Sequence, residues 1–484
     1  MSKDNPEFKR ELGLFDSSML VIGSMIGSGI FIVSADIART VGSGGLLLLV
    51  WFLTGVITLI GALSYGELAG MMPRAGGQYV YLREAYNPLI GFLYGWTLFA
   101  VIQTGTIAAV AVAFAKFTSV LIPWFGADNI LFTLAGLKIT AAQLLAIASV
   151  ITLTYINILG VRAGKTVQNI FTVAKIIALA GLLLLGIFIG SNSAAIGANF
   201  SEMWNGSWTH IAEGKITLVE SISGFTLLAA IGAAMVGSLF SSDAWNNITF
   251  TAGEVKNPKR NIPLSLAIGT GTVTVIYLIA NVSYLLVLPL KGNPQGAGAE
   301  QLGMQFAADD RIGTAVASVI FGEPAALIMA VLIMISTFGC NNGLILAGAR
   351  VYYSMAKDNL FFATAGKLSK RSVPAAALVF QAVWASILCL SGTYGQLLDY
   401  VIFAVLIFYI LTISGIFILR KKQPEAERPY KAFGYPFLPA LYILVAALIS
   451  VILLIYKPIY TWPGLGIVLL GIPVYFLWLK KVKG

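Results

Sequence analysis

The sequence is short of the residues from which soluble enzymes build their sites. It holds one histidine, His210, and two cysteines, Cys340 and Cys389, in 484 residues. Both cysteines sit in apolar stretches, no CxxC pattern occurs, and His210 falls between apolar runs. A zinc site, a thiol redox couple or a histidine-based triad therefore has almost nothing to be built from, and no metal or other cofactor is expected. Charge is scarce as well: 11% of residues are Asp, Glu, Lys or Arg, against about 25% in soluble domains. So few charges cannot cover a chain of this length in water. The formal charge of +10 does not point to nucleic acid, because the basic residues are scattered through short connections between apolar runs.

What is present is hydrophobic sequence, 58% of the chain. A spanning helix needs roughly 20 apolar residues. Twelve such spans can be marked, near residues 14–38, 45–70, 88–121, 138–160, 166–190, 222–250, 262–290, 322–354, 374–391, 395–419, 437–456 and 460–480. Much of the outer surface must then face membrane lipid. Lys and Arg in the connections favour one side by roughly four to one, which predicts cytoplasmic N- and C-termini in a multi-pass protein of the cell (cytoplasmic, or inner) membrane. The first span lacks the small-residue cleavage site of a signal peptide.

Two spans are interrupted. The first reads Gly23-Ser24-Met25-Ile26-Gly27-Ser28-Gly29-Ile30-Phe31. Glycine costs a helix about 1 kcal/mol relative to alanine, so the run either packs closely on a neighbour or unwinds at mid-membrane. An unwound segment exposes backbone N–H groups and a half-helix dipole that suit a carboxylate. Span 6 decides between the two. It carries Gly237-Ser238-Leu239-Phe240-Ser241-Ser242-Asp243-Ala244-Trp245, and an intramembrane Asp costs at least about 2.5 kcal/mol at a helix centre. Breaks at matching places in two halves indicate inverted repeats of five helices. The expected organisation is an N-terminal arm over 1–13, a first repeat over 14–190 and an external connection over 191–221. A second repeat covers 222–419, a cytoplasmic linker 420–436, and two further helices with a tail 437–484.

Taken in order, several motifs resemble the amino acid–polyamine–organocation superfamily and, within it, the L-amino acid transporter family. They are Gly23 to Phe31, Ser64-Tyr65-Gly66-Glu67-Leu68, Pro73-Arg74-Ala75-Gly76-Gly77-Gln78-Tyr79, Asn157-Ile158-Leu159-Gly160 and Trp245-Asn246-Asn247. Asn257-Pro258-Lys259-Arg260-Asn261-Ile262-Pro263 and Arg428-Pro429-Tyr430-Lys431-Ala432-Phe433-Gly434-Tyr435-Pro436 complete the set. The resemblance implies an all-α membrane protein of twelve transmembrane helices. Its fold would be the LeuT-like 5+5 inverted repeat with discontinuous helices 1 and 6, working by alternating access. It also implies that backbone N–H groups around Gly27, Ser28 and Gly29 bind a substrate α-carboxylate. Carbonyls near Ile26, Phe240, Ser241 and Asp243, with Ser242 between them, would take the α-ammonium, and Phe240 would act as an aromatic gate. The glycine usual before the span 6 tryptophan is Ala244 in this chain.

Lys175, within span 5, either snorkels to the cytoplasmic face or, as the resemblance implies, stands where sodium-coupled relatives bind sodium. It would then tie broken span 1 to span 8, with Ser336 as partner. Asp243 either selects cationic side chains or satisfies the span 6 backbone. Gln103, Thr104 and Thr106 in span 3, and Ser336, Thr337, Cys340, Asn341 and Asn342 in span 8, are polar at membrane depth. They either bond between helices or line a side-chain pocket. Glu67 reads as a cytoplasmic gate or helix-end group, and Asp399 as a helix-end group. The expected function is sodium-independent exchange of neutral L-amino acids, with a proton-coupled symporter or a cationic amino acid or amine carrier as the alternative. Some relatives join a single-span glycoprotein through a cysteine between spans 3 and 4. Residues 122–137 hold no cysteine, so no disulfide-linked accessory subunit is expected.

Overall fold

A computed structural model describes residues 8–134, 137–212, 215–391, 394–456 and 458–483. The side chains of 391–400, Asp399 among them, lie outside the described set. Ten of the described helices are long and apolar enough to cross a bilayer. Span 2 is Gly44–Met71, span 3 Pro88–Leu121, span 4 Ala141–Ile158, span 5 Val161–Phe188 and span 7 Pro258–Val287. Span 8 is Ala325–Lys357, span 10 Tyr394–Lys422, span 11 Phe437–Tyr456 and span 12 Pro458–Lys483. Span 6 is helical over Gly224–Ser241 and resumes at Asn247–Phe250. The expected first and ninth spans are helical but shorter. The first is divided into Leu14–Met25, a 3-10 turn Gly29–Phe31 and Ser34–Val41, and the ninth is Ala375–Ser391.

Helix neighbours recur under a shift of five. Span 1 packs on spans 5 and 7 as span 6 packs on spans 10 and 2. Span 3 packs on span 4 as span 8 packs on span 9, and span 5 packs on span 8 as span 10 packs on span 3. Spans 11 and 12 lie outside this arrangement, against spans 2, 6 and 10 and the start of span 3. Small residues allow the closest contacts: a Cβ on Gly55 of span 2 would stand 2.2 Å from Thr274 of span 7. The outer faces carry Ile170, Ile177, Leu184 and Phe188 on span 5 and Leu470, Phe476 and Leu477 on span 12, all more than half exposed. An apolar exterior over a polar-spotted interior is the pattern that lipid demands.

The connections depart from the all-helical reading. Ile130–Leu134 pairs with Leu137–Thr140, and Ser207–Ala212 pairs with Lys215–Ser221, each as an antiparallel hairpin. Both lie between spans, so their ladders are not drawn from any membrane helix. They leave the bundle's helical class intact.

The ends of the helices at the face bearing the N-terminal arm are tied by buried carboxylates. Glu67, at the end of span 2, accepts from Arg420 at 2.9 and 2.7 Å and from the Ala432 amide at 2.7 Å, and Arg428 lies 3.4 Å away. The Arg428–Pro436 motif thus serves to lock spans 2 and 10 together. Glu254 accepts from Arg350 at 2.8 and 3.3 Å, with both side chains 1% exposed. Backbone bonds from Glu11 and Leu12 to the Glu254 carbonyl, both 2.9 Å, fasten the arm over that pair. Removing one member of a buried pair leaves a bare charge and costs about 3–5 kcal/mol. Arg350→Met should therefore lower the unfolding temperature of the purified protein far more than Lys259→Met, whose pairing with Glu427 is exposed.

Candidate functional site

The first helix ends at Ile26, whose amide makes the last ladder bond to Ile22 O at 3.0 Å and whose backbone is extended, φ −78° and ψ 96°. The ladder restarts when the Phe31 amide reaches Ser28 O at 3.1 Å. Between these points the amides of Gly27 and Gly29 belong to no backbone ladder. Glycine is required at 29 by proximity, since a Cβ there would stand 2.2 Å from Ser241 Oγ and 2.9 Å from Ser241 Cβ. At Gly27 the nearest atom would be Cys340 Sγ, at an ordinary 3.5 Å.

Span 6 breaks opposite. Its helix stops at Ser241, and Ala244 takes a left-handed backbone with φ 65°. That conformation is uncommon outside glycine, asparagine and aspartate. The chain then re-enters a helix at Asn247, whose amide bonds Ala244 O at 3.2 Å. Tyr277 of span 7 holds the two breaks together. Its hydroxyl lies 3.2 Å from Met25 O and 3.0 Å from Ser241 O. Nothing in the sequence marks this residue, a tyrosine inside the apolar run Val275-Ile276-Tyr277-Leu278.

Lys175 is 1% exposed and does not reach the membrane face. Its Nζ donates to Gly23 O at 2.7 Å, Ile26 O at 2.6 Å and Ser336 O at 3.2 Å. Three donors therefore meet three carbonyls, two of them set free by the end of the first helix. Ser336 Oγ lies 3.2 Å from Ile26 O and 3.0 Å from Gly27 O, and Cys340 Sγ 3.1 Å from Ser24 O. Spans 5 and 8 thereby grip the broken end of span 1.

Between the two breaks lies a small cavity of about 30 Å³. Gly27, Ser28, Gly29, Phe240, Ser241, Asp243 and Cys340 line it, with Thr106 and Val110 from span 3. Asp243 is partly accessible and accepts a 2.5 Å bond from the Tyr409 hydroxyl. Ile26, Lys175 and Ser336 stand behind this wall, and the Ile26 carbonyl is already shared by Lys175 and Ser336. Ser242 faces a neighbouring space with Thr58, Trp245 and Tyr442. Thr104 bonds back to Phe99 O at 2.6 Å, closing the π turn Leu98–Ile102, and Thr337 bonds to Ile333 O at 2.7 Å in its own helix. Neither lines the cavity. Gln103 crosses to Leu344 O at 2.8 Å and lines a second chamber, while Asn341 is buried with its Oδ1 unpaired and lines neither space.

Paired breaks around a polar cavity inside an inverted-repeat bundle are the arrangement of a membrane transporter, and among the described residues no group of His, Cys, Asp and Glu could hold a metal ion. Comparison with known proteins places it further. A family model described as "Amino acid permease" matches residues 12–474. The mouse b(0,+)-type amino acid transporter 1 is 30% identical over 97% of this chain and 88% of its own length. The human Large neutral amino acids transporter small subunit 2 is 30% identical over 98% of this chain and 82% of its own. The chain belongs to the amino acid permease family.

The geometry separates two glycines. Gly29→Ala forces span 1 away from span 6 and should lower the unfolding temperature by several degrees, whereas Gly27→Ala meets only a van der Waals contact and should melt within a degree or two of the parent.

Proposed function

We propose that this protein exchanges neutral L-amino acids across the cell membrane by alternating access, independently of sodium, with both termini in the cytoplasm. The observation that carries this reading is the Lys175 ammonium, bonded to carbonyls of the span 1 break and of span 8. A fixed cation at that point supplies the charge that a mobile cation would otherwise bring. The amides of Gly27, Ser28 and Gly29 take the substrate α-carboxylate, at the start of the second half of span 1 where a helix dipole favours negative charge. The α-ammonium turns to the span 6 break, toward Phe240, Ser241 and Asp243. With the Ile26 carbonyl engaged by Lys175, the ammonium relies on span 6 for its acceptors. Phe240 closes over the bound substrate. Neutral substrates accord with the name of one relative, a transporter of large neutral amino acids.

A second reading is favoured by Asp243. It is the one charged residue lining the central cavity, and a cationic substrate or a proton could answer it. We further propose that the protein acts without a disulfide-linked subunit, although one relative is named as a small subunit. Cys340 and Cys389 are the only cysteines, and both are buried.

Proteoliposomes decide between exchange and symport. Labelled alanine should accumulate only when unlabelled amino acid is loaded inside, and equally in sodium and choline media. Uptake into empty vesicles driven by a pH gradient would establish symport instead. Non-reducing electrophoresis of native membranes should give the same monomer band as reducing conditions, and a reducible higher band would contradict the stand-alone reading.

A further inference from the structure

An apolar cavity of about 270 Å³ lies away from the substrate site, where the start of span 3 meets span 9 and the ends of spans 8 and 12. Its walls are ring faces and hydrocarbon, with Phe92, Trp96 and Phe99 on span 3 and Phe361, Trp384 and Trp478 around them. The three indole N–H groups are all spent on backbone carbonyls at 3.0 Å: Trp96 on Ile467, Trp384 on Ala100 and Trp478 on Asn359. Phe362, also on the lining, is 47% exposed and marks the side that opens toward lipid. An apolar space of even about 150 Å³ stays dry and takes up hydrocarbon. The rim is basic. Lys357, Lys367, Lys370 and Arg371 are exposed along the end of span 8 and its connection to span 9, and Lys480 is exposed two residues past Trp478. Asp358, the one acid within 357–371, is already bonded by Tyr79 and Arg83.

We propose that this cavity holds an acyl chain of an anionic phospholipid, its headgroup among the basic rim residues, and that the bound chain steadies span 3 at the substrate site. Any lipid chain fits the hydrocarbon walls, so the head charge sets the preference: basic groups between helix ends at the bilayer edge attract anionic headgroups. The link to the substrate site is the π turn Leu98–Ile102, a form that is rare in helices and is often found at functional sites. Phe99 and Ala100 of that turn line the lipid cavity. Trp384 holds the Ala100 carbonyl, Thr104 holds the Phe99 carbonyl, and the Phe99 ring packs on Tyr352, Phe361 and Trp384. One turn on, Gln103 lines the chamber beside Asp243, and Thr106 lines the central cavity. A single stretch of helix thus has the lipid chain on one side and the substrate on the other. With the cavity empty, Phe99 would lose its contacts on the open side. The effect on substrate rests on the transport reading above; the lipid binding does not.

Lysophosphatidylglycerol and lysophosphatidylcholine each carry one chain and differ in head charge, so they serve as probes. Titrated into the purified protein in a neutral detergent, the first should raise the unfolding temperature by several degrees with saturation, and the second by much less. Val474→Trp fills the cavity from span 12, keeps every rim charge and touches no part of the substrate site, so it should remove that difference. Equal shifts by the two lipids, or the full difference retained in Val474→Trp, would overturn the proposal. If Val474→Trp does not fold, Lys357→Gln combined with Lys480→Gln should narrow the preference, and an undiminished preference would overturn it. In proteoliposomes, phosphatidylglycerol added to phosphatidylcholine should lower the half-saturating alanine concentration several-fold for wild type and leave Val474→Trp unchanged. The same value for wild type in both membranes would overturn the link to the substrate site. Failure to exchange any amino acid in either membrane would overturn the transport reading instead, and the thermal shifts would still decide the lipid site.

Discussion

The arrangement depends on one ammonium. A helix that breaks at mid-membrane strands carbonyls where water and lipid cannot satisfy them, at a cost of several kcal/mol per group. Lys175 meets this cost by giving its three protons to Gly23, Ile26 and Ser336. Its charge is stabilised in turn by the C-terminal end of the helix Leu14–Met25, where the backbone dipole is negative. The break therefore has two polarities. One end holds a fixed cation, and at the other the proposed carboxylate site lies where the helix restarts at Gly29 and the dipole is positive.

Around this point the packing is set by small groups and single bonds. Gly29 lets span 1 touch Ser241 directly, and the Tyr277 hydroxyl spans the two broken ends. Ser336 and Cys340 hold the same strand from span 8. Farther away, at the face bearing the N-terminal arm, Glu67 and Glu254 each gather elements distant in sequence. The same bundle thus has a soft polar centre and an ion-paired end, as expected if the halves are to rock about the site while one mouth is held shut.

Much of this was legible in the sequence, for physical reasons. Long apolar runs announce spans because lipid permits little else, and the Gly-Ser-Gly and Ser-Ser-Asp interruptions stood out against them. Lys175 stood out as a charge inside an apolar run, but depth alone left snorkelling open, and only the family resemblance pointed to a tie between spans 1 and 8. The polar residues of spans 3 and 8 were harder to read. A hydroxyl such as Thr104 or Thr337 can bond to its own helix backbone at membrane depth, and nothing in its spacing says whether it will. Tyr277 was invisible because an apolar helix tolerates a tyrosine anywhere that one partner waits. The hairpins were not expected, because both lie in connections outside the long apolar runs from which the spans are read. The resemblance implied a tie from Lys175 to the span 1 break with Ser336 as partner, and the sequence could not say that the Ile26 carbonyl is where both meet.

The central claim is that the Lys175 ammonium shapes the span 1 break into a carboxylate site. Titration calorimetry of the purified protein in sodium-free buffer tests it most directly, comparing wild type with Lys175→Met after each is shown to melt cooperatively. The account predicts saturable heat with a neutral amino acid for the wild type and none for the folded variant, with or without added sodium. Equal affinity in the two proteins would contradict it.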